Sequence, residues 1–184
     1  MEKHKGSWVV KSSDSLFKDD FLELQQDEVI RPDGTPGKYA TVRMKPGVAI
    51  LALEQPGNTV FLTRQFRYAL GKASTEVVGG GIDEAETPEE AAKREIREEL
   101  GIIAEEWISL GYFEMDTSIV QNPVYLFICQ KLSFTQTDMD DTEAIQMLKT
   151  PFSEAVQMVM DGRIVHGISC VLLLKASKYL AKKQ

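Results

Sequence analysis

The stretch GGGIDEAETPEEAAKREIREELGI, Gly79 to Ile102, decides the fold. Three glycines open it, and seven glutamates then outnumber the basic residues Lys93, Arg94 and Arg97. Thr87-Pro88-Glu89-Glu90 reads as a helix start: Thr87 caps, Pro88 suits the first helical position and Glu90 completes a capping box. Gly101 suits the stop. A helix is therefore expected over 88–100, roughly 20 Å long at about 1.5 Å per residue. Glu95, Glu98 and Glu99 then stand at i, i+3 and i+4, on one face. Each like-charge pair costs about 0.2–0.5 kcal/mol unless compensated. Arg94 and Arg97 relieve part of this, with Glu90–Arg94 as a favourable pair and Glu98 also within reach of Arg94. A solvated charged face is the ordinary reading of such a run. Two features argue for more. The three glycines read as a turn that lets a backbone approach closely. A hard divalent ion would also resolve the repulsion, because Mg²⁺ takes carboxylate oxygens and completes its shell with water and phosphate. The face then reads as a platform for two or three ions in phosphoryl chemistry.

The rest of the chain bounds that reading. With 184 residues it suits one domain, or one domain and a small extension. A hydrophobic content of 43% and a charged content of 27% place it among globular proteins with a buried core. The net charge of −7 argues against a nucleic-acid groove or an anionic membrane surface as partner. The N-terminus, MEKHKGSWVV, has no signal-peptide core, and no run approaches the ~18 apolar residues of a membrane span. Cys129 and Cys170 sit in the apolar runs VYLFICQKL and ISCVLLL. They read as buried free thiols of a reducing compartment, with a disulfide as the minor alternative. The expected location is cytoplasmic.

Strands are expected at 6–12, 20–30, 38–44, 47–54, 59–68, 107–114, 124–131 and within AIQMLKT, from alternation or short apolar runs bounded by turn residues. RPDGTPG (31–37) is a turn, and QPGN closes a hairpin between 47–54 and 59–68. TQTDMDDTE (135–143) is an acidic loop. PFSEAVQMVMDG reads as a short helix stopped by Gly162, and 167–182 as a final helix. Mixed strands with few helices indicate α/β or α+β rather than regular βαβ alternation. Residues 1–45 are expected to form a separate small antiparallel sheet, and 46–184 the main domain.

Gly80, five residues, Glu86, seven residues, then Arg94-Glu95-Ile96-Arg97-Glu98-Glu99-Leu100-Gly101-Ile102 resembles the Nudix box in full. Seven fixed residue types at set spacings make a chance match negligible. The resemblance implies a Nudix hydrolase: an α/β/α sandwich with a mixed sheet, cleaving a nucleoside diphosphate linked to another group with Mg²⁺ or Mn²⁺, two to three ions. Carried over by position, it implies Glu95, Glu98, Glu99 and the carbonyl of Gly79 as metal ligands, Glu86 contributing through water, and Arg94 orienting the glutamates. Upstream, VFLTRQFRYALGKASTEVVGGGIDEAE resembles the ADP-ribose and nucleoside-diphosphate-sugar pyrophosphatase branch. There Gln65-Phe66-Arg67-Tyr68 ends a strand, and Glu76 opens the loop to the box. Arg67 reads either as a bidentate phosphate ligand or as a salt-bridge partner of Glu76. Phe66 and Tyr68 read as core or interface. The branch's Pro-Ala-Gly is Val78-Gly79-Gly80 here, and its proline beyond the box is displaced to Pro123. A related nucleotide sugar, a dinucleotide cofactor, a nucleoside triphosphate or a non-cleaving nucleotide sensor are the alternatives to ADP-ribose.

In this branch an acidic loop residue activates water. TQTDMDDTEAI offers Asp138, Asp140, Asp141 and Glu143, with Glu143 favoured and Asp141 next. The products would be a nucleoside monophosphate and a sugar phosphate. The N-terminal segment of the branch often swaps onto a second subunit, which implies a homodimer, and Trp8 could stack a base there. His4 and His166 are given no role in the chemistry.

Overall fold

The computed structural model describes residues 3–56, 58–137 and 145–182. In chain order these form β1 (Lys3–Lys5), β2 (Trp8–Lys18), β3 (Leu22–Ile30), β4 (Pro36–Met44), β5 (Gly47–Glu54) and β6 (Thr59–Arg67). A single 3-10 turn, Tyr68–Leu70, leads to β7 (Lys72–Glu76), β8 (Val78–Gly81) and helix α1 (Pro88–Leu100). Then follow β9 (Ile102–Glu114), β10 (Val120–Gln121), β11 (Pro123–Phe134), β12 (Gln146–Pro151), α2 (Phe152–Met160) and α3 (Gly167–Ala181). The chain divides into two units, Met1–Pro46 with Glu114–Pro123, and Gly47–Phe113 with Val124–Gln184.

In the second unit, GVAILALE carries no polar side chain before Glu54, which suits a strand covered on both faces. It is β5, buried along its length to Leu53, at the centre of a mixed sheet ordered β12-β6-β5-β11-β9. β11 runs parallel to β5, with Val124 opposite Gly47 and Cys129 opposite Ala52. β6 and β8 pair with β5 antiparallel, and β7 with β6. The period of two sends alternate β5 side chains to opposite faces. Leu51 and Leu53 join Leu62, Leu126 and Ile128 against Phe152 and Ala155 of α2 and Leu172, Leu173 and Ala176 of α3. Val48, Ile50 and Ala52 join Phe127 against Ala91, Ala92, Ile96 and Leu100 of α1. The sheet therefore lies between α1 on one face and α2 with α3 on the other, the expected three layers. Each fully buried aliphatic side chain contributes about 1.5–3 kcal/mol.

In the first unit, β1 to β4 form an antiparallel meander, and the turn expected at 31–37 joins β3 to β4. Arg31 N–H donates to Thr35 O at 2.8 Å and Asp33 accepts from Thr35 N at 2.9 Å, while Gly34 takes the left-handed φ of 82° that an L side chain resists. The sheet is not wholly antiparallel. β10 adds a short parallel rung to β4, Val120 opposite Val42 and Gln121 opposite Arg43. Parallel pairing needs a long crossover, and here the intervening β5–β9 chain supplies it. β2 also runs well past the expected residue 12, to Lys18. Trp8 packs edge-to-face on Tyr39 at 5.3 Å between centroids. The buried Asp27 carboxylate accepts from Lys5 Nζ at 2.7 Å and Ser13 Oγ at 2.6 Å.

The glycines of the opening stretch are not a turn. Gly79 to Gly81 lie in β8, with Gly79 opposite Ala49 and Gly80 opposite Val48. A residue without Cβ is required for a different reason: a Cβ on Gly80 would overlap the Glu95 carboxylate, and one on Gly79 would lie 2.9 Å from Val48 O.

Candidate active site

Helix α1 begins and ends as its sequence dictates. Thr87 Oγ1 accepts from Glu90 N at 3.3 Å, and Glu90 Oε2 accepts from Thr87 N at 2.8 Å, a reciprocal cap. Gly101 closes it with φ 60°, its N–H donating to Arg97 O at 2.9 Å. Ala91, Ala92, Ile96 and Leu100 form the stripe buried against β5. That packing fixes the rotation of the helix, setting the Glu95 carboxylate against β8 at Gly80 and leaving Glu98 partly exposed.

Arg94 is the centre of the site. Its Nε and Nη2 donate to Glu86 Oε1 and Oε2 at 2.8 and 2.9 Å, a bidentate pair. Nη1 donates to Glu95 Oε1 at 2.8 Å and Glu98 Oε2 at 3.1 Å, and Nη2 also to Gly81 O at 2.9 Å. Asp83 lies 3.8 Å away. The expected Glu90–Arg94 pair does not form, because the Glu90 carboxylate is engaged in the cap while Arg94 turns toward the loop. That loop folds back through Asp83 N–H donating to Glu86 Oε2 at 3.0 Å. Hydrogen bonds to Glu86, then to Glu95 and Glu98, outweigh partial burial and push the guanidinium further above its already high pKa. Glu99 is 9% exposed, on the side of the helix next to the core.

Four carboxylates, Asp83, Glu86, Glu95 and Glu98, thus surround one guanidinium and leave three net negative charges. Among the described residues no three acidic, histidine or cysteine side chains are already gathered as a closed cation cage. Arg94 stands among the carboxylates instead. The donor set nevertheless fits a hard divalent ion: it is made of carboxylate oxygens, carries excess negative charge, and meets a strand that leaves room at Gly80 for the Glu95 carboxylate.

The other expected residues fall as follows. Arg67 pairs bidentately with Glu76, Nε to Oε1 at 3.1 Å and Nη2 to Oε2 at 2.6 Å. Glu76 is 2% exposed, and 42% of the Arg67 side chain is exposed. Phe66 and Tyr68 are exposed, so neither belongs to the core. Glu143 lies outside the described residues, as do Asp138, Asp140 and Asp141. Sequence reasoning missed the company of Glu76: His166 Nδ1 lies 3.4 Å from its Oε2, and Ser169 Oγ lies 2.8 Å from the same nitrogen. No local spacing signals a contact between residues so far apart in the chain.

The three-layer fold thus sets the acidic face of α1 beside the glycines of β8. Residues 43–162 match the family model described as NUDIX domain, well over half of the sequence, and the chain belongs to the Nudix family. It is 25% identical over 172 residues to the ADP-ribose pyrophosphatase of Bacillus subtilis (strain 168), covering 90% of this chain and 92% of that one. It is 34% identical over 136 residues to the GDP-mannose pyrophosphatase of Klebsiella pneumoniae subsp. pneumoniae, covering 69% and 68%. Its fold resembles a crystal structure described as ADP compounds hydrolase, with a TM-score of 0.84, 18% identity and coverage of 98% of each chain. The chain is a hydrolase acting on pyrophosphate bonds.

Proposed function

We propose that the chain hydrolyses the diphosphate of ADP-ribose or a related nucleoside diphosphate sugar, releasing a nucleoside monophosphate and a sugar phosphate. The observation that carries this is the carboxylate cluster around Arg94, closed against β8 at Gly80. Glu95, Glu98, Glu99, Glu86 and the Gly79 carbonyl would hold two to three Mg²⁺ or Mn²⁺ ions. Such ions supply charge neutralisation of the linked phosphates and acid strength toward water. Arg94 holds three of the carboxylates in fixed directions, so that little reorganisation accompanies binding. The Arg67–Glu76 pair is the substrate-binding element proposed upstream of the box. Glu143, with Asp141 next, is the proposed acceptor of the proton from the attacking water, a role that needs an approach of about 3 Å. The exposed apolar Leu16, Phe17 and Phe21 in the first unit support a homodimer. The free Cys129 and Cys170 suit the cytoplasm.

The test is a panel of diphosphates, ADP-ribose and GDP-mannose among them, ranked by kcat/KM with Mg²⁺ present. AMP formation from ADP-ribose supports the reading. Glu98→Gln is expected to lower kcat by about two orders of magnitude or more while leaving the melting temperature in place. Normal turnover by that variant would remove the site assignment.

A further inference from the structure

The buried Glu76 carboxylate stands at the joint between β7 and β8. Its backbone is paired to Thr63 of β6, and Thr63 Oγ1 donates to its carbonyl at 3.3 Å. Its side chain meets Arg67 on one side and His166, the residue before α3, on the other. One residue on, Val77 N–H donates to Ser169 Oγ at 3.0 Å, and that oxygen lies 2.8 Å from His166 Nδ1. The first turn of α3 is therefore tied to two successive residues of the strand path, and β8 begins immediately after them. β8 carries Gly79 to Gly81, the backbone that faces Glu95 and accepts from Arg94.

Serine, histidine and glutamate in contact suggest a nucleophilic triad, but the geometry excludes one. Both Ser169 and Glu76 approach the same nitrogen, Nδ1, whereas a triad uses opposite ring nitrogens. Ser169 is also fully buried. Nor does His166 cap α3, since its side chain makes no cap hydrogen bond. A carboxylate oxygen 3.4 Å from Nδ1 favours the tautomer with its hydrogen there, and Ser169 Oγ then accepts from both Nδ1–H and Val77 N–H.

We propose that His166 is a positioning residue for the hydrolytic reaction: by holding Glu76 and, through Ser169, the Val77 amide, it fixes the strand that presents Gly79 to Gly81 to the glutamate face. The proposal rests on the reading of that face as the catalytic site. It requires a donor at the Nδ1 position and forbids a negative charge there.

Asparagine and aspartate separate this from a merely structural role. Both are good helix N-caps. If His166 only supports the fold, kcat measured well below the melting temperature is equal in the two variants, even where His166→Asp lowers stability. A positioning role splits them. His166→Asn keeps an N–H donor near the Nδ1 position and should retain kcat within about threefold. His166→Asp sets a carboxylate against Glu76 and should lower kcat about tenfold or more. Amide exchange across 77–81, measured without Mg²⁺, should quicken about tenfold in His166→Asp and stay put in His166→Asn. Melting temperatures verify that both variants fold. Equal kcat and equal exchange in the two variants would overturn the proposal. A wild-type protein that cleaves no diphosphate, while His166→Asp still quickens exchange at 77–81, would overturn the catalytic reading instead.

Discussion

Gly80→Ala puts a single methyl group where the chain has none, and its effect on stability and on rate can be separated. The three atoms nearest to the added carbon are Cδ, Oε1 and Oε2 of Glu95, and all three would overlap it. Relaxed contact between non-bonded heavy atoms needs about 3.5 Å, so the carboxylate must retreat by more than about 1 Å. Glu95 ends a flexible chain and can rotate. The direct loss is its hydrogen bond from Arg94, 2.8 Å long, while Arg94 keeps Glu86 and Glu98. For a partly exposed pair that loss is about 1 kcal/mol, or about 2–4 °C in melting temperature. The rate should suffer more. A misplacement of about 1 Å in a catalytic group costs on the order of 10²-fold, close to 3 kcal/mol of barrier. The measurement is kcat on ADP-ribose at saturating Mg²⁺, with thermal unfolding of the same preparation. Gly79→Ala is the contrast: its methyl meets Val48 O, a backbone atom that cannot swing aside, at 2.9 Å, so stability should fall by about 1–3 kcal/mol. Gly80→Ala with wild-type turnover would show that Glu95 is not held where the reaction needs it.

Acid should destabilise the protein in two stages. Burial lowers the His166 pKa below its ordinary 6.5; Glu76 opposes this and Arg67 adds to it. His166 therefore resists charging in the fold, and its share of stability is complete above pH 6.5 and is lost as pH falls below that value. Burial would raise Glu76, but Arg67 and His166 outweigh it and hold it below 4.5, so its contribution is lost only below that pH. Urea unfolding across pH 3–8 should show both declines, and His166→Asn should lack the first. Cys129 is fully buried with its thiol pushed up to about 12, so alkylation of the native protein at about pH 8 should spare it and begin at the half-buried Cys170. Mass spectrometry of the labelled chain checks the order, and prompt modification of Cys129 would count against the packing of β11 on β5.

What the sequence revealed and what it hid follow from the range of the forces involved. Helix α1 was readable to the residue because its start and stop are local: Thr87, Pro88, Glu90 and Gly101 satisfy the backbone within one turn. The central strands β5 and β11 were readable because their runs are apolar on both faces. KASTE and VGGG were not, since β7 and β8 have no apolar alternation and are held by pairing to β6 and β5. The start of β9, Ile102 to Glu106, shows no alternation of apolar and polar residues and was hidden in the same way. Within the site, the glutamate spacing declared a shared face, yet the grip of Arg94 on Glu86 depends on how the 82–87 loop folds back. The approach of His166 to Glu76 depends on α3 docking beside β7, and no neighbour in sequence encodes that.

The N-terminal sheet takes its fifth strand from residues that lie far down the chain, between β9 and β11. Severing the backbone once, after Pro46, would therefore not liberate two self-sufficient pieces. The remainder would keep Val120 and Gln121 while losing Val42 and Arg43, the residues they pair with. Any exchange of this module between proteins, in the laboratory or over descent, has to transfer two separate segments together, and a transplant of the first alone would leave the recipient with a stranded ribbon.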